Sequence, residues 1–175
     1  YALSAQHSSH DPRLLSLTDY LQHASTSDVQ IDLDIPRTVR GHKAFHTRYG
    51  RGQCDLFGVL HAMSLMCAEC GYCQGMGPLA AMLLMHMPAS DALRVMQRMH
   101  DVYGFHELFR PGFPGLRAEF YVLSQLLDAL VPRMAQALAQ AGLAPSAYAT
   151  RWLLTVFHDA LPHATQLRVW DTVSY

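Results

Sequence analysis

The stretch QCDLFGVLHAMSLMCAEC, Gln53–Cys70, decides the fold class. Within it Leu56, Val59, Leu60, Met63 and Met66 recur at steps of three and four. That spacing lays one apolar stripe along a helix; a half-buried strand would alternate every second residue. The same period extends outward. Leu14, Leu15, Leu17 and Leu21 follow Asp11-Pro12, an N-cap and first-turn pair. Gly77–Met87 is apolar, stops at Pro88, and falls short of the ~20 residues a membrane span needs, which predicts a buried helix. Ser90-Asp91 is expected to cap a helix over 92–103 whose stripe is Val95, Met96 and Met99, ended by Gly104. RPGFPG, Arg110–Gly115, is expected to be an ordered turn with no helix in it. Helices are predicted over 116–130, from Pro132 to Gly142, over 148–157 and from Thr165 onward. No segment alternates with period two, so the reading is an all-α, multi-helix domain of roughly eight to ten short helices. It spans residues 11–175, after a loose segment at 1–10.

Composition narrows the function classes. Half of the 175 residues are hydrophobic and 15% are charged, which excludes a disordered chain. The formal net charge of −1 excludes a polybasic face for nucleic acid or anionic lipid, and membrane insertion is not expected. YALSAQHSSH at the start lacks the basic and apolar regions of a signal peptide. Cys67, Cys70 and Cys73 crowd into seven residues, poor geometry for disulfides, which points to a reducing, cytoplasmic compartment. The absence of Met at position 1 and the unfinished apolar run LRVWDTVSY are read as marks of a piece cut from a longer chain.

Two stretches carry candidate chemistry. In IDLDIPRT, Ile31–Thr38, Asp34 and Arg37 stand three apart, so one helical turn lets them pair. Pro36 restricts the backbone just before Arg37 and lowers the entropy cost of aiming it. A planar, permanently charged guanidinium suits phosphate oxygens, although a plain surface ion pair has the same spacing, and Arg40, Arg48 and Arg51 follow closely. In GYCQGMG, Gly71–Gly77, Gln74 lies in a stretch whose flanking glycines, Gly71 and Gly75, permit a turn away from the core. Its amide both donates and accepts, which suits orienting a water for attack on a phosphate; a loop glutamine without function is the bland alternative.

Taken together, IDLDIPRT resembles the Ile-x-x-Asp-x-x-Arg motif of TBC domains, the GTPase-activating domains that act on Rab-type small GTPases. GYCQGM is similar to the family's Tyr-x-Gln motif, in the same order and at a matching separation. PGFPGL at 111–116 resembles its Pro-Gly-Leu turn. The segment 131–157 resembles the one ending in its Trp-x-x-x-x-Phe pattern, and LRVWD at 167–171 its Arg-x-Trp-Asp motif. The resemblance implies an all-helical GTPase activator that works on a partner's active site and has no substrate of its own. It implies Arg37 as an arginine finger and Gln74 as a glutamine finger, with Asp34 orienting Arg37 and Tyr72 supporting the glutamine loop. Arg168, Trp170 and Asp171 are implied to be structural. The implied partner is a Rab-family GTPase in vesicle trafficking, which supplies both GTP and magnesium. No cofactor or metal is therefore expected on this chain, and the protein is placed in the cytoplasm with recruitment to endomembranes open to it. Gly77 stands where the family usually has asparagine, so a cap or loop hydrogen bond is expected to be missing. The family's N-terminal Ser-Gly, Arg and Trp motif is absent, and its C-terminal helices are mostly missing beyond Trp170.

Two rival readings differ in class. One is a non-catalytic TBC-like module that binds a small GTPase. The other is a Cys-ligated metal protein, with Cys67, Cys70 and Cys73 joined by His61 or Cys54. On a helix Cys67 and Cys70 would instead face the core. A Cys73 nucleophile is set aside, because no Cys-His-Asn signature accompanies it.

Overall fold

The computed structural model describes residues 16–158 and 160–173. The loose segment 1–10 and the Asp11-Pro12 cap with Leu14 and Leu15 lie outside the described residues. Among the described residues every element is helical: α1 Leu17–Tyr20, α2 Asp28–Asp34, α3 Arg51–Met66, α4 Met76–Leu84, α5 Ala89–Asp101, α6 Phe105–Phe109, α7 Pro114–Leu130, α8 Pro132–Gln140, α9 Pro145–Tyr148, α10 Thr150–Leu154 and α11 His163–Val173. A 3₁₀ turn, Ile35–Arg37, extends α2. Eleven helices slightly exceed the expected number. The additional helices are α2, α6 and α9, and of the run expected over 148–157 only Thr150–Leu154 forms α10.

The stripe that decides the fold class is buried as its spacing demands. Leu56, Val59, Leu60 and Met63 are buried to 1% exposure or less, while Met66 is only half-buried. Burying a leucine of this kind is worth about 1.5–3 kcal/mol relative to leaving it in water. Helix α3 is the hub of the front half, packing against α1, α2, α4 and α5. Helix α4 is apolar nearly all round and sits inside, with Met76, Leu79, Ala80 and Met82 buried.

Several boundaries move. Helix α3 ends at Met66, four residues before Cys70, because Cys67 turns to an extended backbone with φ −123° and ψ 95°. Helix α5 begins at Ala89, so Ser90 and Asp91 lie in its first turn, where Asp91 pairs with Arg94 in place of capping. The turn read over RPGFPG is confined to its first residues. Pro114 starts α7, a position where a missing N–H costs nothing.

The rear half is built on α7, which packs against α6, α8, α9 and α10. It meets the front half where Leu154 reaches the glutamine segment and where Trp170 enters the core cluster. The Nε1 of Trp170 donates to the Val156 carbonyl at 2.8 Å. Val156 and Phe157 both have positive φ, a strained pair whose conformation tertiary contacts must maintain. Arg168 and Asp171 lie on the exposed side of α11.

Candidate functional site

Helix α2 runs into its 3₁₀ turn without a break, which carries Asp34 inward and Arg37 outward. Asp34 is 2% exposed, a burial that a carboxylate tolerates only when its oxygens are occupied. They are. Oδ1 accepts from Arg37 Nη2 and from Gln30 Nε2, the latter at 2.9 Å. Oδ2 accepts from the Tyr72 hydroxyl at 3.0 Å. The Asp34 carbonyl accepts from the Thr38 hydroxyl at 2.9 Å, which ties down the residue after Arg37.

The Arg37 side chain remains 60% exposed although one face of its guanidinium is held. Its neighbours are placed differently. Arg48 donates to Asp32 and to the Tyr49 hydroxyl, and Arg51 lies 3.6 Å from Asp55. Phe45 is a core residue at 1% exposure, whereas His46, Tyr49 and Arg51 are on the surface.

Asp34 therefore joins two segments 38 residues apart in sequence, because its second oxygen receives the hydroxyl of Tyr72. Burial and the adjacent Asp34 charge both push the Tyr72 phenol well above its ordinary value. It stays protonated and remains a donor. Two residues on, Gln74 is exposed. Gly71 supplies the turn, with φ +55°, a conformation that side chains rarely adopt. Gly75 is different: its backbone is ordinary right-handed helix, and its role is contact, since an added Cβ would lie 3.1 Å from Leu154 Cβ.

Gly77 also has a spatial reason. An added Cβ would lie 3.2 Å from Thr38 Oγ1 and 3.7 Å from the Tyr72 hydroxyl. The first turn of α4 thus presses directly on the Arg37 segment, and the absent side chain makes room for that approach. Gln30 and Thr38 are parts of this arrangement that the sequence reading did not single out.

The cysteines separate. Cys54 is exposed, with its thiol directed to the Tyr49 carbonyl, and Cys73 is half-buried against the core, where burial raises its pKa. A raised pKa removes the thiolate that nucleophilic attack requires. His61 bridges Asp28 and the Tyr20 carbonyl, far from any such role. Cys54, Cys73 and His61 therefore do not join Cys67 and Cys70. Those two approach His100 and His106.

The sequence matches the Rab-GTPase-TBC domain family over residues 2–175. The chain belongs to that family. This TBC domain is 46% identical over 144 residues to a TBC domain-containing protein of Schizosaccharomyces pombe, covering 82% of the chain and 34% of that protein. It is 35% identical over 143 residues to the Rab GTPase-activating protein tbc-11 of Caenorhabditis elegans, covering 82% of the chain and 15% of that protein. The chain thus spans about a third of the length of the first of these relatives and less of the second. Its fold is that of the Chlamydomonas flagellar RabGAP TBC domain, with a TM-score of 0.73 at 22% identity, covering 91% of this chain and 51% of that one. The Ypt/Rab-GAP domain of Gyp1p superposes with the same TM-score at 18% identity, covering 90% of this chain and 58% of that one. No helix among the described residues is long and apolar enough to cross a membrane.

Proposed function

We propose that this TBC domain accelerates GTP hydrolysis by a Rab-type small GTPase, with Arg37 and Gln74 acting in trans. The observation that supports this most is Asp34, a buried carboxylate that accepts from Arg37 on one oxygen and from Tyr72 on the other. An inert surface ion pair needs neither the burial nor the second partner. Asp34 is then a positioning residue: it restrains the guanidinium of Arg37 and, through Tyr72, the base of the segment that carries Gln74. Negative charge grows on the phosphoryl oxygens and leaving group in the transition state, so a cation delivered there lowers the barrier. The glutamine amide donates to and accepts from the attacking water, aligning it with the γ-phosphate. GTP and magnesium belong to the partner.

The test is single-turnover GTP hydrolysis by a panel of Rab proteins with the wild-type protein, Arg37→Ala and Gln74→Ala. An arginine finger supplies about 10³–10⁵ in rate, roughly 4–7 kcal/mol of barrier, and Arg37→Ala is expected to lose a factor in that range. Both variants are expected to bind the GTPase almost as the wild type does. A folded protein that binds a Rab without accelerating it would leave the binding-module reading in its place.

A further inference from the structure

Four side chains that the GTPase reading does not use converge at the foot of the glutamine segment. Cys67 is the C-cap of α3, and Cys70 lies in the turn just before Gly71. His100 is in the last turn of α5, and His106 is in the first turn of α6. One ligand atom from each lies within 4.8 Å of all the others. We propose that Cys67, Cys70, His100 and His106 form a tetrahedral structural zinc site.

The distances carry the proposal. Zinc bonds thiolate sulfur at about 2.3 Å and imidazole nitrogen at about 2.0–2.1 Å. A tetrahedron with those bonds has sulfur–nitrogen edges of about 3.5 Å and a nitrogen–nitrogen edge of about 3.4 Å. Here His106 Nδ1 lies 3.7 Å from Cys67 Sγ and 3.4 Å from Cys70 Sγ. His100 Nε2 lies 3.6 Å from Cys70 Sγ, and the two ring nitrogens are 3.1 Å apart. The imidazoles meet edge to face at 84°, so their nitrogens share one point without the rings stacking.

The surroundings fit a closed metal centre. His100 Nδ1 is 2.6 Å from Asp101 Oδ1, which fixes the tautomer that leaves Nε2 unprotonated toward the cluster. His106 Nε2 lies 3.5 Å from Glu69 Oε2, the same kind of outer carboxylate. The Cys70 N–H donates to Cys67 Sγ at 3.3 Å, a contact that stabilises thiolate charge. The pairs Cys-x₂-Cys and His-x₅-His have the spacings found within Cys₂His₂ zinc sites, and the fold rather than a short loop brings the two pairs together. On binding, two thiol protons pass to solvent and the divalent ion takes two thiolates and two neutral imidazoles, so the site is electrically neutral. The ion would tie the ends of α3 and α5 to the start of α6, immediately before Gly71–Gln74.

The test is the zinc content of the protein, purified without a polyhistidine tag and passed over a desalting column, measured by mass spectrometry. About one zinc per chain is expected. Cys54→Ser and Cys73→Ser are expected to keep it, and Cys70→Ser and His106→Ala to lose it. Cobalt loaded into the wild type is expected to give tetrahedral d–d bands with thiolate charge transfer, which identifies the donor set even where a ligand variant does not fold. Asp101→Ala is expected to weaken zinc retention against a chelator about 10–100-fold. A folded wild type with no zinc and no tetrahedral cobalt spectrum would overturn the proposal, as would loss of zinc on Cys73→Ser with retention on His106→Ala. Neither result depends on GTPase activation, so the two proposals fail separately.

Discussion

Helices α3 and α7 carry apolar residues at the same three- and four-residue spacing, yet they meet opposite fates. Of the 16 residues of α3, nine are buried; of the 17 in α7, only Leu116 is. Helix α3 has four helices around it. Helix α7 is flanked by the short α6, α9 and α10 and by α8, which has no buried residue, and it leaves Tyr121, Val122, Leu126 and Leu130 exposed. An apolar stripe is thus sufficient to specify a helix, but burial depends on what the rest of the chain brings against it. The site follows the same division: Asp34, Arg37, Tyr72 and Gln74 all belong to the half with the closed core.

That contrast can be broken by mutation. Leu60→Ala in α3 is expected to cost about 2–5 kcal/mol in chemical denaturation, since it removes buried atoms from a fully enclosed position and leaves a cavity in the core. A cost below that of an exposed substitution would mean the front core is loosely packed. Tyr72→Phe comes next. Deleting the hydroxyl leaves Asp34 short of a partner and is expected to cost about 1–3 kcal/mol. The same residue has a pH signature. Its folded pKa lies above the ordinary value of 10, so the unfolded chain loses the phenolic proton first. The wild type is therefore expected to lose stability as pH rises above 10, and Tyr72→Phe to lose less over the same interval. Equal slopes in the two proteins would show that Tyr72 is not the group responsible. The smallest effect is expected at Leu126→Ala in α7, within about 0.5 kcal/mol, because its side chain is already half in water. A penalty matching that of Leu60→Ala would show that α7 is covered in solution.

The candidate site was legible to the extent that it is local. Asp34 and Arg37 lie one turn apart, and Gln74 stands out as an amide between two glycines. The hydroxyl that Tyr72 gives to Asp34 was not legible, because a contact across 38 residues has no signal in spacing. The resemblance placed Tyr72 as a support for its own loop; its partner turned out to be on the other one. Gly77 read as a lost cap, whereas it is a point of close approach to Thr38. Among the cysteines, nearness in the chain misled. Cys73 seemed the third member of a run, but the turn at Gly71 sends it to the core, and the partners of Cys70 come from α5 and α6.

By itself the sequence determined the helical class, the succession of the longer helices and the family, because helix periodicity and motif spacing are properties of neighbouring residues. It determined which aspartate could hold Arg37, because a 3.6-residue turn brings them together without help from the rest of the chain. The tertiary structure alone decided which apolar stripes are buried, that one carboxylate links the arginine and glutamine segments, and which histidines face Cys67 and Cys70. Those outcomes depend on packing between helices far apart in sequence, where a shift of a few ångströms separates a hydrogen bond or a ligand sphere from solvent.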